Sequence, residues 1–183
     1  MTDPAVIWRC LFRPGMEHFA LRETANGWEL AGTVIVLADD RPLLVAYRVE
    51  CNGDWHTRNV ELSVTRDGNQ RTLSLHPTNE GRWLLDGQPI DAVAGCIDVD
   101  LGVTPSTNAL PIRRLNLAVG ESADVTATWV QFPSLEIRPL SQRYTRIAEH
   151  RYRYESDTGF TADLDVDDAG VVTTYPGGWE RVE

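Results

Sequence analysis

Lysine is absent: every one of the 17 basic residues in this 183-residue chain is arginine. That excludes Schiff-base and P-loop lysine chemistry. Cysteine is scarce. Cys10, Cys51 and Cys96 are odd in number, far apart and without C-x-x-C spacing, which argues against a disulfide framework and fits a reducing compartment. No apolar run approaches the roughly 20 residues of a membrane helix, so no transmembrane segment is expected. The opening residues lack the basic-then-apolar pattern of a secretory signal. A cytoplasmic protein is the expectation. Positive charge is also in deficit, with 27 acidic side chains giving a formal net charge of −10, so nucleic acid and anionic membrane surfaces are not expected as partners. G-x-S-x-G, H-E-x-x-H, P-loop and dinucleotide signatures are all missing. His18, His56, His76 and His150 are scattered, so neither a metal nor a cofactor is expected.

What is present describes a globular chain, 42% hydrophobic and 24% charged, of a length that suits one domain over residues 1–183. Short alternating runs separated by turn signals predict antiparallel β structure. Residues 27–37, 43–51 and 123–132 are rich in β-branched and aromatic side chains. Leu62 and Val64, then Asp67-Gly68, then Leu73 and Leu75, read as a hairpin with one apolar face. Asn26-Gly27, Asn52-Gly53, Asp86-Gly87 and Gly177-Gly178 mark further turns. Tyr144, Tyr152 and Tyr154 alternate with Arg143, Arg151 and Arg153 as inner and outer faces of two strands, and Phe160, Ala162, Leu164 and Val166 share one parity. The fold class expected is all-β, with many antiparallel strands and at most one short helix. That helix belongs in Pro105–Leu115, capped by Ser106 or Thr107 and interrupted at Pro111.

The stretch from Gly95 to Leu115, GCIDVDLGVTPSTNALPIRRL, concentrates chemistry. Asp98 and Asp100 stand two apart, on one face of an extended backbone. Thr104, Ser106, Thr107 and Asn108 follow, and the stretch ends in Arg113 and Arg114. The two acids have three readings: a structural network with the arginines, since buried charge must be paired, contact with a ligand, or an acid–base pair. The six tryptophans are spread along the chain; each is a core filler or a wall of a cavity, and Trp55 and Trp83 are candidates for the second role. Trp55 alternates with His56, Thr57 and Arg58, so His56 and Arg58 share a face on which they could bind an anion or stay solvated.

Several of these stretches together resemble the family named "putative glycolipid-binding", formerly a bacterial domain of unknown function. They are Trp8-Arg9-Cys10, Gly15-Met16-Glu17-His18, Tyr47 to Cys51 with Trp55, Thr57 and Arg58, and Gly81-Arg82-Trp83 through Asp86-Gly87. The Cys96–Leu115 block, Trp129 to Pro133, and Tyr175-Pro176-Gly177 with Trp179 complete the set, which spans nearly the entire chain. The resemblance implies antiparallel strands curved into an incomplete or spiral barrel similar to the lipoprotein localisation factors, whose relatives hold acyl chains in an apolar cavity.

The leading expectation is a non-enzymatic module that binds a lipid, a glycolipid or a lipid-linked metabolite in an apolar hollow. Asp98, Asp100, Thr107, Asn108, Arg113 and Arg114 would form a polar rim for the headgroup, with Trp55, His56, Arg58 and Trp83 as further ligand contacts. An alternative is a small-molecule hydrolase or isomerase using Asp98 or Asp100 with His56. A third reading is a homodimeric β module that meets its partner through a sheet edge or aromatic patch.

Overall fold

The computed structural model describes residues 5–182. Fifteen strands form one sheet in the order β8-β7-β6-β5-β4-β3-β2-β1-β15-β14-β13-β12-β11-β10-β9. Its first half is a meander of β1 (Ala5–Cys10), β2 (Gly15–Thr24), β3 (Gly27–Ala38), β4 (Arg41–Cys51), β5 (Thr57–Arg66), β6 (Asn69–Pro77), β7 (Trp83–Leu85) and β8 (Gln88–Ile90). After β9 (Val99–Leu101) comes the second meander: β10 (Ser122–Val130), β11 (Ile137–Ala148), β12 (Arg151–Ser156), β13 (Thr161–Val166), β14 (Val172–Tyr175) and β15 (Trp179–Arg181). The halves join where β1 pairs antiparallel with β15, Cys10 opposite Trp179. All neighbours are antiparallel except β9 and β10, which run parallel. The sheet does not close, and its two edges, β8 and β9, follow each other in sequence. It is the all-β, curved incomplete barrel that the pattern and the resemblance imply.

Local chemistry explains the hairpins. Asp39-Asp40, Asp67-Gly68 and Asp86-Gly87 all take positive φ as two-residue turns between paired strand ends such as Arg66 and Asn69, the backbone that matches the right-handed twist of the strands. Parity sets the faces. Tyr144, Tyr152 and Tyr154 are buried, whereas Arg143, Arg151 and Arg153 point outward and pair across strands with Asp124, Asp165 and Asp163. The inner wall is unequal: β3 to β6 supply aliphatic side chains such as Leu30, Val34, Val45, Val60 and Leu75, while β11, β12 and β14 supply tyrosines.

The centre of the roll is not a hollow. Residues 103–112, ten in succession, are all buried. The chain turns inward after β9 through a short 3₁₀ turn (Ser106–Asn108) into α1 (Ala109–Leu115). Neither Ser106 nor Thr107 caps this helix by a side-chain hydrogen bond. Thr107 Oγ1 instead accepts from the Leu101 amide at 3.2 Å. Pro111 does not interrupt α1, because it sits in the first turn, where backbone N–H groups have no intrahelical acceptor. The turn-forming residues that look like a surface loop are thus an internal plug, and their polar atoms are satisfied by the walls.

Candidate functional site

Beside the plug, on the tyrosine-rich side, lies a cavity of about 350 Å³. Its wall combines Asp100 from β9, Thr104 and Asn108 from the plug, and aromatic rings from both ends of the second meander: Trp129, Tyr154, Phe160, Tyr175 and Trp179. Phe12, 57% exposed, and Phe160, 43% exposed, stand at the open side. Gly102 makes this packing fit. A Cβ there would come within 2.7 Å of Trp129 Nε1 and 3.3 Å of the Val130 carbonyl oxygen, so only glycine lets the indole lie against the wall.

Asp100 is the charged group of this cavity. It is half-buried and accepts one hydrogen bond, from Gln142 Nε2 at 2.5 Å. Gln142 Nε2 also donates to Tyr154 Oη at 3.2 Å. Burial pushes the Asp100 carboxyl up to about 6, and the Gln142 bond partly offsets the rise. Burial and the nearby Asp100 charge also raise the Tyr154 and Tyr175 phenols, so both stay protonated and can donate. Asn108 is fixed by both ends of its amide, which accepts from Tyr144 Oη at 2.8 Å and donates to the Pro105 carbonyl at 3.0 Å.

A second buried carboxyl lies behind Thr104. Glu17 on β2 is 1% exposed, and its Oε1 accepts from Thr104 Oγ1 at 2.8 Å and from the Tyr47 hydroxyl. Tyr47 Oη also lies 2.7 Å from Ser106 Oγ. Among the described residues Glu17 Oε2 has no partner. Desolvation dominates and pushes this carboxyl up to about 8, against the lowering effect of the two hydroxyls. Glu17 is therefore neutral at pH 7, and it ties the plug to the wall. Gly32, paired with Tyr47 across β3 and β4, leaves the space the phenol crosses, since a Cβ there would meet Tyr47 Oη at 2.4 Å.

The ten residues singled out in the sequence fall in different places. Asp100 and Asn108 line the cavity. Asp98, 1% exposed, is held by a two-pronged salt bridge from Arg114, Nε to Oδ1 at 3.1 Å and a second guanidinium nitrogen to Oδ2 at 2.6 Å. The two acids, adjacent in pattern, therefore take separate partners. Thr107 is used inside the plug. Trp83 is fully buried and donates to the Cys96 carbonyl at 2.8 Å. Trp55, with a left-handed φ of 64°, stacks on Trp28 at 4.7 Å, and the Arg113 guanidinium sits 5.2 Å from its ring. Arg113 lines a separate, polar depression of about 250 Å³ with Arg146, Glu149 and His150. Thr57 is buried, Arg58 exposed and His56 half-buried, and neither His56 nor Arg58 borders the aromatic cavity. Among the described residues, no cluster of three or more His, Cys, Asp or Glu side chains could hold a metal ion, and no helix is long and apolar enough to cross a membrane.

The aromatic wall escaped the sequence reading because Trp129, Tyr154, Phe160 and Tyr175 come together only when β10, β12 and β14 are placed in order. The available signals were the reading of each tryptophan as core filler or cavity wall, the inner-face parity of Tyr154, and the presence of WVQFP and Tyr175-Pro176-Gly177 with Trp179 among the resembling stretches.

Comparison with known proteins gives one consistent result. Residues 5–181 match the model of the family described as "Putative glycolipid-binding". A solved crystal structure of a DUF1089 family protein from Pseudomonas aeruginosa is similar at 34% identity with a TM-score of 0.83, over 92% of each chain. No curated protein matches.

Proposed function

Given that this chain belongs to the "Putative glycolipid-binding" family, we propose that it binds the sugar end of a glycolipid in the aromatic cavity, without catalysing a reaction. The observation that carries this reading is the pairing of a single carboxylate with tilted aromatic rings around about 350 Å³. Sugar rings have an apolar C–H face suited to stacking on indole and phenol, and hydroxyls suited to a carboxylate acceptor and to amide and phenol donors. The volume lies at the low end of ligand cavities, which run from about 300 to 1,000 Å³. A space at that end of the range suits one sugar ring. The hydrocarbon part then rests on the exposed Phe12 and Phe160 at the open side and on Leu11, 45% exposed. Asp98, Arg114, Thr107, Trp55 and Trp83 act by holding the plug and its surroundings, not by touching ligand.

Among the described residues no arginine lines the cavity, so an anionic headgroup finds no cationic fork there. Isothermal titration with octyl β-D-glucoside, below its micelle threshold, tests the reading with octyl phosphate as the control. Saturable binding of the glucoside at one site, weakened by Trp129→Ala and exceeding that of the phosphate, is the expected result. Tighter binding of the phosphate, or no saturable glucoside binding, would overturn it.

A further inference from the structure

We infer that the ligand group seated beside Asp100 carries a protonated amine, so that the sugar is an amino sugar. This deepens the reading of the aromatic cavity as the ligand site and rests on it. Among the described residues, the three buried acids have their charge answered or removed. Asp98 is gripped by Arg114, and Glu29, 8% exposed, is paired with Arg48 and Arg22. Glu17 keeps a proton. Asp100 differs. Its hydrogen-bond partner is a neutral amide, Gln142, and among the described residues no arginine lines the cavity it faces. Burial has not neutralised it either, because its carboxyl, raised to about 6, is still mostly ionised at pH 7. A negative charge therefore stands in a partly desolvated wall, where an opposite charge is worth more than in water.

The rings around it favour the same answer. Tyr154, Phe160 and Tyr175 form a triangle with centroids 6.2, 6.4 and 5.7 Å apart and planes tilted at 51° to 68°. Mutually tilted rings cannot all stack on one flat face, but they offer several π surfaces to a compact cation within about 6 Å of each. A hydroxyl in that position would bond the carboxylate and leave its charge unanswered. An ammonium group does both and is attracted to the rings.

Matched titrations test this: octyl β-D-glucoside, the octyl glycoside of glucosamine, and octyltrimethylammonium, each against the wild-type protein and the Asp100→Asn variant. The expected result is that the glucosamine glycoside binds at least about tenfold tighter than the glucoside, and that Asp100→Asn weakens the glucosamine glycoside more than the glucoside, removing most of that preference. Equal affinities for the two glycosides would overturn the amine and leave sugar binding intact. Binding of octyltrimethylammonium with neither glycoside bound would retain the cationic site and overturn the sugar reading, and failure of all three would overturn both. Should Asp100→Asn fail to fold, as judged by its thermal transition, the wild-type comparison of the two glycosides decides alone.

Discussion

Replacing Glu17 with glutamine should make this protein more stable at neutral pH, although it removes a buried, hydrogen-bonded side chain. The folded state holds the carboxyl at about 8 against an ordinary value of 4.5, so the native protein must keep a proton that the unfolded chain releases. With a raised folded value, the stabilising contribution is complete below about pH 4.5 and is lost as pH rises towards about 8. At 1.36 kcal/mol per pKa unit, the loss at pH 7 is about 3 kcal/mol. Glutamine keeps the carbonyl oxygen that Tyr47 and Thr104 address, and its amide nitrogen occupies the place of Oε2, which has no partner already. The polar groups left unsatisfied are therefore similar in number, and the proton makes the difference. Urea unfolding of both proteins at pH 4.5, 6 and 7.5 measures it. The curves should coincide near pH 4.5 and diverge by about 3 kcal/mol at pH 7, equivalent to roughly 6–12 °C in melting temperature for a domain of this size. Parallel pH profiles, or a variant less stable than wild type at pH 7.5, would refute the reasoning.

Further outcomes follow from other contacts. Arg114→Ala strands the Asp98 carboxylate, 1% exposed, and should cost about 3–5 kcal/mol in chemical denaturation; adding Asp98→Asn to it should recover part of that loss. Asp100→Asn should raise stability at pH 7 by up to about 3 kcal/mol, since a carboxyl lifted from 3.8 to about 6 costs stability above that range; calorimetry checks it, and an unchanged melting temperature would count against an unpaired charge there. Gly102→Ala should displace the Trp129 indole, whose Nε1 would lie 2.7 Å from the new Cβ, and shift its fluorescence emission. It should also weaken octyl glucoside binding with a stability cost of about 1–3 kcal/mol.

Local rules were the legible part of the sequence. The two-residue turns at Asp67-Gly68 and Asp86-Gly87, and the inside–outside alternation of tyrosine and arginine in β11 and β12, can be read directly, because turn chemistry and side-chain parity need no partner from elsewhere. The same is true of β3, β4 and β10, whose observed bounds lie within two residues of the predicted runs. The plug was legible only as a cluster of polar turn formers. Its burial depends on Tyr47, Glu17 and Tyr144, which lie 36 to 87 residues away in sequence. Asp98 and Asp100 look equivalent in the sequence. Only the helix that returns Arg114 to one of them, and the β11 strand that brings Gln142 to the other, separates a structural acid from one that faces a cavity. Glu17 stood in a noted motif, yet nothing nearby signals that Thr104 and Tyr47 would enclose it.

A difference map from crystals of this protein soaked with octyl β-D-glucoside addresses the account most directly. It predicts a sugar ring against Trp129 with a hydroxyl within hydrogen-bond distance of Asp100, and the alkyl chain leaving past Phe12 and Phe160. Ligand density confined to the Arg113–Arg146 depression, or to the outer face of the sheet, with the aromatic cavity vacant, would contradict it.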